Sequence, residues 1–173
     1  VPEPIEYLVM LDLQTALRQV SIIDGYFHDL AGLAVKLDPN QGVEELIDPS
    51  GARPFVVLEK RPERWEYSGA VDYALASTPG MAQVLMTMPM VVHWINRSDP
   101  TMDESRMQTF FRGCADIEAA IGLDRTRGGL AVDTLVVQRT YDEAFESAQV
   151  WAMVELEVQI YRTLGLPSGY PTQ

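Results

Sequence analysis

The sequence predicts an α+β fold, a mostly antiparallel sheet with two main helices packed on one face. Three observations carry that expectation. Two apolar stripes with three- and four-residue steps lie far apart, over residues 5–20 and 107–121. The segments between and after them are short, β-branched and aromatic. The last one, residues 150–162, alternates with a period of two. Helices and strands are therefore segregated along the chain, the pattern of an antiparallel sheet covered on one side.

The first helix starts after Pro4, a residue suited to a first helical turn. Ile5, Leu8, Val9, Leu13, Ala16, Leu17 and Val20 form one apolar stripe, and Asp24-Gly25 breaks it. Residues 30–37 read as a short strand. Asp38-Pro39-Asn40-Gln41-Gly42 and Asp48-Pro49-Ser50-Gly51 are turn chemistry. Residues 54–58 are β-branched and aromatic, so they read as a strand, with 64–70 as a partner carrying Trp65 and Tyr67. Residues 81–95 read as a long strand bent near Pro89, because proline cannot donate into a central ladder.

The second helix is the clearest. Thr101 and Glu104 have capping-box spacing, and Asp99-Pro100 offers an alternative start. Met107, Phe110, Phe111, Cys114, Ile117 and Ile121 form its stripe, and Gly122 is placed for a left-handed cap. Residues 130–138 read as a strand. In the last strand Val150, Ala152, Val154, Leu156, Val158 and Ile160 face one way. Trp151, Met153, Glu155, Glu157, Gln159 and Tyr161 face the other, more solvated way. Residues 165–173 form a short tail, and the whole chain reads as one domain.

Thirteen basic against 25 acidic side chains give a formal net charge of −12. That excludes broad nucleic-acid binding, which needs clustered lysine and arginine to neutralise phosphate. The single Cys114 excludes an intrachain disulfide and a cysteine-rich zinc site, and favours a reducing compartment. No apolar run reaches the ~18 residues of a membrane span, and the first residues show no signal-peptide pattern. The expectation is a protein made in the cytoplasm, with no membrane partner.

The chemistry is sparse. His28 and His93 lie far apart, and no ligand spacing supports a metal site. There is no Gly-x-Ser-x-Gly elbow, and Cys114 on a helix stripe reads as a small core residue. Gly128-Gly129 follows a helix and precedes a strand, the wrong order for a phosphate loop, so it reads as a turn needing positive φ. No enzyme activity, cofactor or metal is expected. What remains points to contacts between proteins. Arg125 and Arg127 concentrate positive charge on one loop of an acidic chain, suited either to an intrachain ion pair or to an acidic neighbour. Trp151, Tyr161, Trp65 and Tyr67 are candidate interface anchors, or residues packed under a helix.

Two strings then carry a resemblance. The stretch 115–134, ADIEAAIGLDRTRGGLAVDT, resembles the helix-to-strand crossing of tail terminator (tail completion) proteins of tailed bacteriophages. The stretch 154–162, VELEVQIYR, resembles their last strand, which ends in Tyr-Arg before a Gly/Pro tail. The amphipathic first helix and the turn at Asp24-Gly25 are similar as well. The resemblance implies a structural virion protein without an active site. It implies a homo-oligomeric, six-fold ring that caps the tail tube and joins it to the neck or connector protein. DNA would pass through the lumen without specific binding, and an acidic ring suits that passage, since a basic lumen would hold the duplex. A neck or head-completion ring protein is the nearest alternative. A small cytosolic enzyme or ligand-binding domain is the alternative from another class.

Overall fold

A computed structural model of the chain describes residues 3–30, 35–37, 54–66, 83–97, 106–142 and 149–163. The elements are α1 (Ile5–Arg18), a 3₁₀ turn (Ile22–Asp24), β1 (Val35–Leu37), β2 (Phe55–Lys60), β3 (Arg64–Glu66), β4 (Gln83–Arg97), α2 (Arg106–Gly122), β5 (Asp133–Asp142) and β6 (Gln149–Thr163). The fold is α+β, as expected. The loops at 38–51, the capping residues at 99–104, Tyr67–Ala70 and the 165–173 tail lie outside the described residues.

The sheet has the order β1-β2-β4-β6-β5, with β3 also paired to β4. The β1–β2 pair is parallel and the other pairs are antiparallel. β4 and β6 are its axis, aligned over their full lengths from Gln83↔Thr163 to Arg97↔Gln149. The other edge of β4 takes β2 against residues 90–95 and β3 against residues 85–87. Pro89 falls in the gap between them. Its carbonyl accepts the Arg61 N–H at 2.9 Å. In a strand the N–H and C=O of one residue face the same neighbour. The donor that proline lacks is therefore absent where the chain turns from β2 to β3, and the ladder to β6 is untouched.

Register decides the faces. Val150, Ala152, Val154, Leu156, Val158 and Ile160 of β6 stand beside Asn96, Trp94, Val92, Met90, Met88 and Met86 of β4. With Val56 and Leu58 of β2, these apolar side chains are buried against Val9, Leu13 and Leu17 of α1 and Cys114, Ile117 and Ile121 of α2. Each such large side chain contributes about 1.5–3 kcal/mol by leaving water. On the opposite face Val57, Val91 and Ile95 are buried too.

Two local expectations are corrected. Gly122 ends α2 without a left-handed conformation; positive φ falls on Gly25 (91°), Arg127 (52°), Gly128 (66°) and Gly129 (87°). Met107 and Phe111 are not on the packed stripe of α2. They are 46% and 54% exposed, and Gly113, Asp116 and Ala120 take buried positions beside Phe110, Cys114, Ile117 and Ile121. Gly113 is required there by close approach, because a Cβ at this position would lie 2.5 Å from the Trp94 ring.

Candidate functional site

The turn between α2 and β5 holds both candidate arginines. Asp124 organises its start. Its Oδ1 accepts the Thr126 N–H at 2.9 Å and the Thr126 hydroxyl at 2.7 Å, and its Oδ2 accepts the Gly128 N–H at 2.6 Å. The Thr126 hydroxyl, followed by these backbone donors, holds the Asp124 carboxyl below its usual range. The three successive left-handed residues, Arg127 to Gly129, then reverse the chain toward β5.

The arginines have separate fates. Arg125 is half-exposed and grips Asp133 with a fork, Nε to Oδ1 at 2.8 Å and Nη2 to Oδ2 at 2.5 Å. That fork lowers the Asp133 pKa. Arg127 is 1% exposed. Its Nη2 donates to the Ile121 carbonyl at 2.5 Å, and its Nη1 lies 3.3 Å from Asp12 Oδ2 on α1. The expected basic surface spot is therefore reduced to Arg125. Arg127 is an internal tie among α1, the end of α2 and the turn.

The aromatic candidates do not gather at one place. Trp151 and Tyr161 share a face of β6 but stand ten residues apart, about 33 Å at the usual strand rise. Trp151 is half-buried, and its indole N–H donates to His93 Nδ1 at 3.3 Å. Tyr161 is 53% exposed and lies at the same end of the sheet as the Arg125–Asp133 pair, since Asp133 registers with Gln159. Trp65 registers with Met86 on β4, and Tyr67 lies outside the described residues.

The two histidines, set aside as metal ligands, carry buried polar contacts with acids that the sequence did not single out. His28 Nδ1 is 2.7 Å from Asp116 Oδ2, and the same carboxylate accepts the backbone N–H groups of Phe27 and His28, each at 2.9 Å. His93 Nε2 is 2.6 Å from Glu59 Oε2. Asp116 had a readable signal, an acid set directly between Cys114 and Ile117 on the apolar side of a helix. Glu59 and Asp12 had none, because their partners come from distant segments. Cys114 is fully buried, and desolvation pushes its thiol up to about 11.

Among the described residues no group of three or more His, Cys, Asp or Glu side chains is arranged to hold a metal ion. No helix among them is long and apolar enough to cross a membrane. Among the described residues the arrangement joins elements and presents a surface, and the one thiol, Cys114, is internal with its pKa raised by burial. No family model matches the chain, and no curated protein is significantly similar to it.

Proposed function

We propose that this chain is a structural ring subunit of the tail-terminator type, capping a phage tail tube and joining it to the neck. The observation that supports the reading best is the α2–turn–β5 crossing, the segment on which the resemblance rests. Its polar groups are spent on holding shape: Asp124 on three donors, Arg125 on Asp133, Arg127 on Ile121 and Asp12. The histidines point the same way, since His28 is tied to Asp116 and His93 to Glu59 and Trp151. In this reading the subunits close a six-fold ring through two different patches each. Tyr161 and the Arg125 end of the sheet are candidates for one patch. The net charge of −12 keeps the lumen from holding DNA.

Negative-stain imaging of the purified protein tests the reading. Charge repulsion between subunits is screened over about 8–10 Å at moderate salt, so rings with a central hole should become more abundant as salt rises. A protein that never forms rings, alone or on tails lacking their terminator, overturns it.

A further inference from the structure

The turn that follows α1 is apolar at its tip, where Ile22 is 58% and Ile23 95% exposed. Its shape is fixed from within. The Ser21 hydroxyl accepts the Ile23 N–H, Asp29 Oδ1 accepts the Ile22 N–H at 2.7 Å, and the Tyr26 N–H returns to the Ser21 carbonyl. The turn is also tied to one flank of α2. There Asp116 accepts the Phe27 and His28 N–H groups, and Arg112 lies over the Phe27 ring. The other flank of α2 borders a hollow of about 520 Å³, lined by Glu118, Val136, Val137, Gln138 and Arg139. Its edge strand is irregular because Val137 drops out of the ladder to β6 between Val136 and Gln138, and a bulge bends the strand that carries it. Both valines are left exposed.

We infer that the Ile22–Ile23 turn of one copy of the chain seats in the α2–β5 hollow of the next. Placement argues for this occupant. Glu118 lies about 160° around α2 from Asp116, so the turn and the hollow of one molecule face away from each other. Two unlike patches on opposite flanks are what a head-to-tail contact joins. Charge argues for it as well. Asp24, next to the two isoleucines, is exposed, and no ion pair engages its carboxylate among the described residues. Arg139 is the cation of the hollow. Glu118 takes the Nε–Nη2 edge of its guanidinium, and a guanidinium has further N–H groups for a second carboxylate.

The turn is held by its own hydrogen bonds before it meets a partner, so seating it sacrifices little conformational freedom. The hollow also continues a surface already singled out: Val136 is three residues, about 10 Å, along β5 from Asp133 and its Arg125 fork. The inference rests on the ring reading and names the two unlike patches that each subunit would use. One turn in one hollow is a small contact, so an isolated pair is weak and concentration-dependent.

The test is disulfide trapping between two different variants of the whole chain. Ile23→Cys and Val137→Cys, both at exposed positions, are purified separately. Mixed at high micromolar concentration under mild oxidation, they should form a linked species of twice 19.3 kDa. Each alone should form several-fold less of it, because like positions do not meet in a head-to-tail contact. Native Cys114 is buried and should stay unlinked. Ile23→Asp should keep the native circular dichroism spectrum and lose the rings that the unaltered chain forms. The inference is overturned if the mixture links no more than either variant alone, or if Ile23→Asp forms rings as before; either result leaves the ring reading standing. A mixed link in a chain that never closes into rings would keep the contact and overturn the ring reading.

Discussion

Trp151 donates its indole N–H to Nδ1 of His93 across 3.3 Å, and that one bond sets which ring nitrogen accepts and which donates. Indole is a donor only, so Nδ1 must be the acceptor. The proton therefore sits on Nε2, which donates to Glu59 at 2.6 Å. Glu59 also lies 3.2 Å from Arg61, so its carboxylate keeps a partner if the imidazole is removed. His93→Phe should therefore cost about 2 kcal/mol rather than the larger penalty of an abandoned buried charge. Trp151→Phe should cost under about 1 kcal/mol, because the half-buried indole N–H loses a single neutral bond. The double variant should cost less than the two single costs added, by about the cost of Trp151→Phe alone. Urea denaturation of the four proteins measures this coupling, and strict additivity would mean that the bond contributes nothing.

Gly113 lets the α2 backbone pass directly over the Trp94 ring of β4. Ala is the better helix former by about 1 kcal/mol. Its Cβ, however, would lie 2.5–2.6 Å from three carbons of the Trp94 ring, which is wholly buried and has no room to retreat. Overpacking of this kind costs about 1–3 kcal/mol. Gly113→Ala should therefore destabilise the chain on balance, with the near-ultraviolet signal of Trp94 altered. A stabilised variant would mean that α2 can lift off the sheet freely.

The elements were legible because their periods were clean. In β6 the alternation of buried and half-buried residues from Val150 to Ile160 repeats the alternation of residue types. What periodicity could not decide was which apolar face of α2 packs inward. Phe110, Cys114, Ile117 and Ile121 form one row, and Met107, Phe111, Ala115, Ala119 and Leu123 form another. Only the sheet selects between them. Arg127 was illegible for a similar reason. A charge beside two glycines reads as surface, and its burial depends on Asp12 from a helix more than a hundred residues earlier in the chain.

Asp124 and Asp133 should give the turn an acid limit. Both carboxyls are held below their usual value of 3.8, the first by Thr126 and Gly128, the second by Arg125. A depressed folded-state pKa means that the unfolded chain takes up protons first. The stabilisation is complete above about 4 and is lost as pH falls through the lower folded values. Asn at position 124 keeps one acceptor but cannot accept from Gly128 as well. Asp124→Asn should reduce stability at neutral pH and flatten the acid limb of a stability–pH curve. An unchanged limb would show that the turn does not unfold with the rest.

Cys114 should act at the opposite end of the scale. Burial raises its pKa from 9.0 to about 11, with Arg139 lowering it and Glu118 raising it by smaller amounts. Between these values the unfolded chain releases the proton and the folded chain keeps it. Stability is therefore intact below pH 9 and declines as pH rises toward and through 11. Cys114→Ala should cost on the order of 1 kcal/mol at neutral pH, as a small core truncation does. It should also remove this part of the alkaline decline. Thiol reagents at pH 8 should modify the native protein only at the rate at which it opens. Fast labelling would place the thiol outside the core.

The Arg127–Asp12 pair should be lopsided when cut. Arg127 is almost wholly buried, while the Asp12 side chain is about one-third exposed. Removing Asp12 strands a cation that water cannot reach, leaving Nη2 on the Ile121 carbonyl as its remaining hydrogen bond. Breaking a buried pair this way costs about 3–5 kcal/mol. Removing Arg127 strands only a carboxylate that water can solvate. Arg127→Met retains most of the volume and deletes the charge, so it should cost less, about 1–2 kcal/mol including the lost bond to Ile121. Arg127→Gly relieves the left-handed backbone, worth about 1 kcal/mol, but leaves a cavity, so it should fare worse than Met. Arg127→Glu would set two carboxylates together in the interior and should prevent folding. Arg125→Glu loses the fork to Asp133 and sets two carboxylates together, but at an exposed place where water solvates both, so it should cost less than Asp12→Ala. Thermal denaturation of Asp12→Ala, Arg127→Met, Arg127→Gly and Arg125→Glu gives the ranking. If Asp12→Ala proves milder than Arg127→Met, Arg127 is reached by water in solution, and its role as an internal tie is wrong.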